Sequence, residues 1–145
     1  MARSSKPLAV AGSVLRYAWA SPVSVLGLLF AAVAKASGGS IRLMAGVVEA
    51  EGGLVTFVLN RIIPSFPIAA IAVGHVVLGT DPGTLAATRR HERVHVSQYA
   101  RWGLLLPVLY VASSLLALSR GGSAYHDNRF EREAAVEDSP HRQVV

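Results

Sequence analysis

Three stretches of the chain contain no Asp, Glu, Lys or Arg, and their hydrophobic patterns differ. The first, 17–34, is eighteen residues long and lies between Arg16 and Lys35. Eighteen apolar residues reach the minimum length of a membrane-spanning helix, and the basic residues before them favour a cytoplasmic N-terminus. We therefore predict an N-terminal membrane anchor over residues 1–37. A signal peptide is the alternative, because basic, apolar and small residues follow one another in order.

The second uncharged stretch, 62–80, is rich in Ile and Val and is interrupted by prolines. Together with the apolar runs 41–48 and 54–59 it is typical of short strands bounded by turn residues. Gly52 and Gly53 stand between the two shorter runs, where a hairpin turn is expected. These segments predict a small twisted sheet that covers a helical core.

The third uncharged stretch, 102–119, is rich in Leu and contains Pro107, which predicts a helix with a kink near its start. Before it, Asp81 and Pro82 supply an N-cap and a first helical residue. The helix that follows is expected to continue to Trp102 and to stop at Gly103.

The fold class predicted from these elements is α+β. The chain is expected to divide into the N-terminal membrane helix and one domain at 38–135, followed by a disordered tail at 136–145. In that domain the helix after Asp81 should pack against the Leu-rich helix and a further C-terminal helix. A chain of 145 residues has room for little else.

Composition adds a membrane partner to this picture. Hydrophobic residues make up 52% of the chain and charged residues only 16%, with a mean hydropathy of +0.42, whereas soluble domains carry about 25% charged residues. The net charge of +5 is spread without a basic run that alternates with aromatics, so no nucleic-acid interface is predicted. An anionic lipid bilayer is the expected partner. The excess of Arg over Lys is typical of a protein from a GC-rich bacterial genome. The predicted location is therefore the bacterial inner membrane, with the domain on either side of it.

One motif carries recognisable chemistry, the segment HERVH at residues 91–95. Residues four apart on a helix lie one above the other, so His91 and His95 can direct nitrogen atoms at one metal ion. Glu92 is adjacent and can reach a metal-bound water as a general base without being a ligand. The chain has no Cys, so the predicted Zn²⁺ site must use His and carboxylates. The alternative is a charged, solvated helix face.

A third ligand is expected from the segment NRFEREA at 128–134, which offers Glu131 and Glu133. HERVHVSQ followed by FEREA resembles the gluzincin class of zinc metallopeptidases, in which HExxH supplies two histidines and a downstream helix supplies a glutamate. Membrane-bound members that act on prenylated proteins, and small bacterial relatives with HExxHxxQ, use the first Glu of an ExxA segment. The resemblance implies that Glu131 is the ligand, with Glu133 as the alternative.

The resemblance further implies hydrolysis of peptide bonds in a peptide or membrane-protein substrate, with Glu92 as the catalytic base. One departure favours a different function. Most gluzincins place an Asp four residues after the ligand Glu, where it orients a zinc-bound His, and this chain has Ala135 there. Such outer partners affect metal affinity or activity by about 10–100-fold. A non-catalytic membrane protein with a structural zinc site is therefore the alternative.

The topology restricts the site as well. If 102–119 crossed a bilayer, the histidines and Glu131 would end about 30 Å apart on opposite sides. We therefore expect this helix to stay within the domain or at the interface, so that the chain returns to the motif helix.

Several further residues have both a functional and a structural interpretation. Gln98 lies on the ligand face and is either a partner of a ligand or substrate, or a satisfied interior amide. His75 is in a strand-like run and either approaches the metal or is structural. Tyr125 and His126 precede Glu131 and are candidates for steadying an oxyanion. Three arginines on the motif helix are expected to form a solvated face or to contact lipid phosphates; they are Arg89, Arg93 and Arg101.

Overall fold

The computed structural model describes the backbone of residues 6–62 and 68–138, and the side chains of residues 21–61 and 68–138. Over these residues the fold is α+β, with five helices and a four-stranded mixed sheet, which confirms the predicted class. In chain order the elements are α1 (Lys6–Ala36), β1 (Ser40–Met44), β2 (Val47–Glu51), α2 (Gly53–Ile62), β3 (Ala70–Val73), β4 (Val76–Gly79), α3 (Pro82–Trp102), α4 (Leu105–Ser119) and α5 (Arg129–Asp138).

The sheet consists of two hairpins joined side by side in the order β1-β2-β4-β3. Within each hairpin the strands are antiparallel, whereas β2 and β4 are parallel neighbours. The first hairpin turns at Ala45 and Gly46, whose φ angles are 49° and 82°. Positive φ at both central residues gives the twist that two-residue hairpin loops need. β3 pairs with β4 alone, so it forms one edge of the sheet.

The prediction of a strand over 54–59 is wrong, because this run lies inside α2. The parallel pairing of β2 with β4 requires a crossover connection, and α2 is part of it. Val55 and Leu59, four residues apart, are the buried positions of its inner face. Gly52 and Gly53 do not form a hairpin turn; their positive φ angles carry the chain from β2 into α2.

One face of the sheet packs against α1 and α2 through an apolar cluster that includes Ala31, Ala34 and Val76. The approach is close at Gly27, where an added Cβ atom would lie 2.5 Å from the carbonyl oxygen of Val73. The second half of the predicted membrane anchor therefore has one side in the protein core. Among the described residues no single helix is both long and apolar enough to cross a membrane, and 21–36 forms a shorter apolar helix. In the first part of the predicted anchor, the side chains of 1–20 and the backbone of 1–5 lie outside the described residues.

The other face of the sheet packs against α3, through Leu85 and Val96 among others. α3 begins after Asp81 and ends before Gly103, which confirms the predicted start and end of this helix. The Asp81 carboxylate accepts a hydrogen bond of 2.9 Å from the Thr84 backbone N–H. At the other end, Gly103 adopts a positive φ of 52° and its N–H bonds to the Tyr99 carbonyl.

After Gly103 the chain turns sharply, so that α4 lies at 114° to α3. Pro107 stands in the first turn of α4, where no backbone N–H is needed. The expected kink is therefore absent from that position, and the change of direction occurs between the two helices. α5 then packs against both α3 and α4. It extends through Asp138, so 136–138 of the predicted tail are helical, and 139–145 lie outside the described residues.

Candidate metal centre

The two motif histidines lie one turn apart on α3 and direct their ring nitrogens at each other. Their Nε2 atoms are 3.2 Å apart, and the rings meet edge to face with centroids 4.9 Å apart. Both side chains are mostly buried, at 19% exposure for His91 and 13% for His95. The spacing HxxxH therefore brings the two nitrogens together on the inner side of the helix, as the sequence predicted.

Glu131 reaches the same point from α5, although it is forty positions from His91 in the sequence. Its Oε2 atom lies 3.1 Å from His91 Nε2, and its Oε1 atom lies 3.4 Å from His95 Nε2. One ligand atom from each of the three residues lies within 4.8 Å of the others, so the group could hold a metal ion. The three residues proposed as ligands from the sequence are thus adjacent in space.

Asn128 determines where α5 begins and hence where Glu131 lies. Its Oδ1 atom accepts a hydrogen bond of 2.9 Å from the Phe130 backbone N–H, the usual role of an N-cap residue. Its amide nitrogen donates to the Tyr110 carbonyl at 3.0 Å and to Ser114 Oγ at 2.7 Å. The side chain is fully buried. This one amide therefore fixes the first turn of α5 against α4.

Glu133, the alternative third ligand, is engaged elsewhere. Its Oε2 atom accepts a hydrogen bond of 3.1 Å from the Gln98 amide, and its Oε1 atom lies 3.2 Å from Arg101 Nη1. Two residues along a helix point to different sides, which places Glu133 beside the group formed by His91, His95 and Glu131 and not in it.

Two tyrosines lie beside the Glu131 carboxylate. Tyr110 donates a hydrogen bond of 2.7 Å to Oε1, and Tyr125 lines the same cavity. Burial and the adjacent Glu131 charge raise the pKa of each tyrosine, so both hydroxyls remain donors. Burial alone would raise the pKa of Glu131, but the hydrogen bonds with both histidines and Tyr110 outweigh it and hold this pKa well below its ordinary value.

Glu92 lies next to the group but is not part of it. The side chain is buried, and its Oε2 atom has no hydrogen-bond partner among the described residues. Burial raises the pKa of Glu92, against the opposing effect of the positive charges that His95 and His91 can carry. A buried carboxylate oxygen without a donor is costly unless something else contacts it. Glu92 also lines the cavity beside the group, so its carboxyl group borders the space that a small molecule could occupy.

A cavity of about 400 Å³ opens beside the metal group. Its polar atoms come mainly from the group itself, from Glu92 and from tyrosines, and the rest of its wall is apolar. The wall combines the segment that ends in β3, the inner side of α3 and the first half of α4; its apolar members are Ile68, Ala70, Ile71, Ala72, Leu106, Pro107 and Val111.

The remaining candidates divide between the site and the scaffold. Gln98 is fully buried and lies 2.9 Å from His95 Nδ1, so its partner is a candidate ligand. His75 lies in the turn between β3 and β4, not in a strand, and its ring is 3.0 Å from Ser24 Oγ on α1. Tyr125 lines the cavity, whereas His126 is exposed and packs edge to face on the Tyr125 ring.

The three arginines of α3 singled out from the sequence make contacts within the protein, and Arg101 is also solvated, with 56% of its side chain exposed. Arg89 forms two hydrogen bonds, of 2.7 and 2.9 Å, with the buried Glu49 carboxylate on β2. Arg93 donates to the Met44 carbonyl at 3.1 Å, and Arg101 pairs with Glu133. These contacts fix α3 to the sheet and to α5.

Sequence reasoning missed two residues of the site, Tyr110 and Asn128. Tyr110 is the single tyrosine within the Leu-rich stretch 102–119, and a polar hydroxyl in an otherwise apolar helix indicates a buried partner. Asn128 precedes the charged segment of α5 at an N-cap position, which was also visible in the sequence.

Comparisons of the chain with protein families, with curated proteins and with solved structures gave no match. The resemblance to gluzincins therefore rests on the two sequence motifs.

Proposed function

We propose that this chain is a membrane-associated zinc metallopeptidase of gluzincin type, in which His91, His95 and Glu131 hold the metal and Glu92 is the general base. One observation carries the proposal. Residues from two helices that are distant in sequence converge on one point, next to a buried carboxylate with an unpartnered oxygen and beside a cavity.

The donor set fits zinc. Zn–N and Zn–O bonds of about 2.0–2.1 Å in a tetrahedral site place neighbouring ligand atoms about 3.3 Å apart. His91 Nε2 lies 3.2 Å from His95 Nε2 and 3.1 Å from Glu131 Oε2, and His95 Nε2 lies 3.4 Å from the other carboxylate oxygen, Oε1. One ligand atom from each residue lies within 4.8 Å of the others, which a small adjustment would bring to the tetrahedral spacing. Two histidines and one glutamate are also the ligands of catalytic sites that keep a fourth position for water, whereas structural zinc sites usually use four protein ligands.

The residues of the chain have separate roles in the proposed hydrolysis. When bound, zinc would lower the pKa of a coordinated water toward 7 and polarise a substrate carbonyl. Glu92 accepts a proton from the attacking water and delivers it to the leaving nitrogen of the peptide bond. Tyr110 holds the Glu131 carboxylate in place through its hydroxyl group. The apolar cavity receives a substrate side chain and excludes bulk water from the reacting atoms.

The test is the variant Glu92→Gln, which keeps the size of the side chain but cannot accept the proton. Glu92 is placed as a base and not as a ligand, so we expect the zinc content to stay at about one per chain and cleavage to fall by at least about 100-fold. Metal analysis and cleavage of a quenched-fluorescent peptide library by the purified full chain measure these two effects.

The matched control is Glu137→Gln, at an exposed position of α5, which should change neither quantity. Wild-type cleavage by Glu92→Gln would refute the assigned base. Stoichiometric zinc without any cleavage by the wild type would favour the non-catalytic alternative, a membrane protein with a structural zinc site.

We further propose that the chain lies at a lipid bilayer through the outer sides of α1 and α4. Large apolar side chains are exposed there, for example Leu29 at 59%, Val108 at 66% and Leu115 at 61%. Each of these helices exposes several large apolar side chains and not one isolated residue, and such surfaces mark contacts with membranes or proteins. The exposed basic residues Lys35 and Arg120 at the ends of these helices suit anionic head groups.

Separation of cell membranes from the soluble fraction tests this part of the proposal. The full chain should sediment with membranes and remain there in high salt, because apolar contact is not screened by ions. Placing Asp at both Leu29 and Leu115 should release a large part of it. Val136→Asp, at a comparably exposed apolar residue on α5, is the control and should stay bound. A wild-type chain found mainly in the soluble fraction would overturn the membrane assignment.

A further inference from the structure

The neighbours of the Gln98 side chain allow only one orientation of its amide group. The side chain is 0% exposed and lies between α3 and α5. Its nitrogen donates to the Phe130 carbonyl and to Glu133 Oε2, both at 3.1 Å. Both partners are acceptors, so the amide cannot be reversed without bringing its oxygen against two other oxygens. The oxygen of Gln98 must therefore face the remaining neighbour, His95 Nδ1, at 2.9 Å.

This orientation determines which nitrogen of His95 carries the proton. An amide oxygen accepts but cannot donate, so the contact requires an N–H at Nδ1. In the charged ring Nε2 also carries a proton, which it donates to Glu131; in the neutral ring that proton is gone and the lone pair lies on Nε2. Nε2 is the atom that faces His91 and Glu131, at 3.2 and 3.4 Å. The tautomer that Gln98 selects is thus the one that a metal ligand needs at this position.

The contact between Gln98 and His95 can replace the acid that is missing at Ala135. In the gluzincin pattern, an aspartate at this position of the C-terminal helix would orient a zinc-bound histidine. Here the contact comes from Gln98, three residues after His95 on the same helix. α5 contributes indirectly, because Glu133 holds the Gln98 amide and is itself held by Arg101.

We propose that Gln98 is a positioning residue for the metal, which holds His95 in the Nδ1–H tautomer with Nε2 directed at the zinc. Glu133 supports it by holding the amide in the required direction. This inference rests on the proposed zinc site, and it assigns to the Gln98–Glu133 pair the task that an aspartate performs in the pattern the chain resembles.

Two measurements on the purified full chain test the proposal. Zinc affinity, from competition with a chromophoric chelator, should fall by about 10–100-fold in Gln98→Leu. The tautomer of His95, from ¹⁵N NMR of the metal-free histidine-labelled chain at a pH at which the ring is neutral, should be Nδ1–H in the wild type and mixed in Gln98→Leu. Loss of the His95 resonances in His95→Ala assigns them. A role in packing alone would leave the tautomer of His95 unchanged.

The double variant Gln98→Glu with Glu133→Gln is the rescue. It exchanges the amide and the carboxylate, so residue 98 still accepts from His95 and residue 133 now donates to it, but the hydrogen bond to the Phe130 carbonyl is lost. We therefore expect a partial rescue, with a zinc affinity between those of Gln98→Leu and the wild type. Gln98→Leu that binds zinc as tightly as the wild type, with an unchanged His95 tautomer, would overturn the inference.

If Gln98→Leu does not fold, Glu133→Ala replaces it, because Glu133 is 36% exposed and its loss removes only the outer support of the amide. Zinc affinity should then fall several-fold and the His95 tautomer should become mixed, with Glu137→Ala as the unaffected control. No change in either quantity would also overturn the inference. A wild type that binds no zinc but shows the Nδ1–H tautomer would refute the proposed zinc site and leave the Gln98 contact established.

Discussion

The two faces of the sheet are covered by helices that are held in different ways. On the face of α1 and α2 the contact is made by Ala, Val and Leu side chains, such as Ala34, Val55 and Leu59. On the face of α3 a smaller apolar cluster lies beside polar contacts. These are the Arg89–Glu49 ion pair at 2.7 Å, and further along α3 the Gln98 amide and the two histidines.

This difference indicates which helix contacts should depend on a bound metal ion for their stability. Apolar burial is non-directional, so the α1 and α2 face is stable wherever its side chains fill the space. The contact between α3 and α5 is directional and includes the charged Glu131 carboxylate, which is only 6% exposed. A bound cation would stabilise that contact selectively. We therefore expect α3 and α5, and not α2, to respond to zinc.

The largest expected effect comes from His95→Ala. Removal of one of three ligands should weaken zinc binding by at least about 1,000-fold, and the zinc-dependent gain in thermal stability should disappear with it. Thermal unfolding with and without added zinc measures the gain, and metal analysis measures the loss.

His126→Ala is the matched control for that variant, because His126 is exposed and lies outside the metal group. It should bind zinc and respond to it as the wild type does. Stoichiometric zinc in His95→Ala would remove the basis for treating the α3 and α5 contact as a metal centre.

A second variant addresses the apolar face. Leu59 is 3% exposed in the cluster with Ala31 and Val76, so Leu59→Ala should lower the free energy of unfolding by about 3 kcal/mol. The loss should be the same with and without zinc, since the described residues that pack around Leu59 include no member of the metal group. Denaturant unfolding of the metal-free and zinc-loaded chain measures both values.

Leu54→Ala on the same helix provides the comparison, because Leu54 is 49% exposed. Its cost should stay within about 0.5 kcal/mol, as for most surface positions. If the loss of unfolding free energy in Leu59→Ala changed strongly with zinc, the two faces of the sheet would be coupled. The zinc response would then not be confined to α3 and α5.

The same division explains what could be predicted from the sequence. The N-cap and the glycine stop predict where α3 begins and ends. The helical repeat predicts that His91 and His95, four residues apart, lie close together. The α2 helix could not be predicted, because a six-residue apolar run has no decisive period and its conformation depends on the parallel pairing of β2 with β4. Local patterns determine α3, while distant strands determine α2.

The position of Glu131 required more than local information. The motif resemblance favoured it over Glu133, but its approach to the histidines depends on the turn at Gly103 and on the Asn128 cap. The partners of Arg89 and Gln98 also come from distant elements, and no spacing along α3 identifies them. Contacts between elements were therefore the part that sequence patterns left open.

The smallest effect is expected from Tyr110→Phe, which removes the hydroxyl that donates to Glu131 at 2.7 Å. The ring should stay in place, because it stacks on Phe130 with centroids 6.2 Å apart. Loss of one hydrogen bond to a buried carboxylate costs about 1–2 kcal/mol, which corresponds to a fall in zinc affinity of roughly 5–30-fold. Chelator competition measures the affinity. Tyr99→Phe is the control, because Tyr99 lines the same cavity without holding the carboxylate. Equal affinities for the two variants would show that the Tyr110 hydroxyl does not help to position Glu131, and that the polar face of the sheet depends on fewer directional contacts than its geometry indicates.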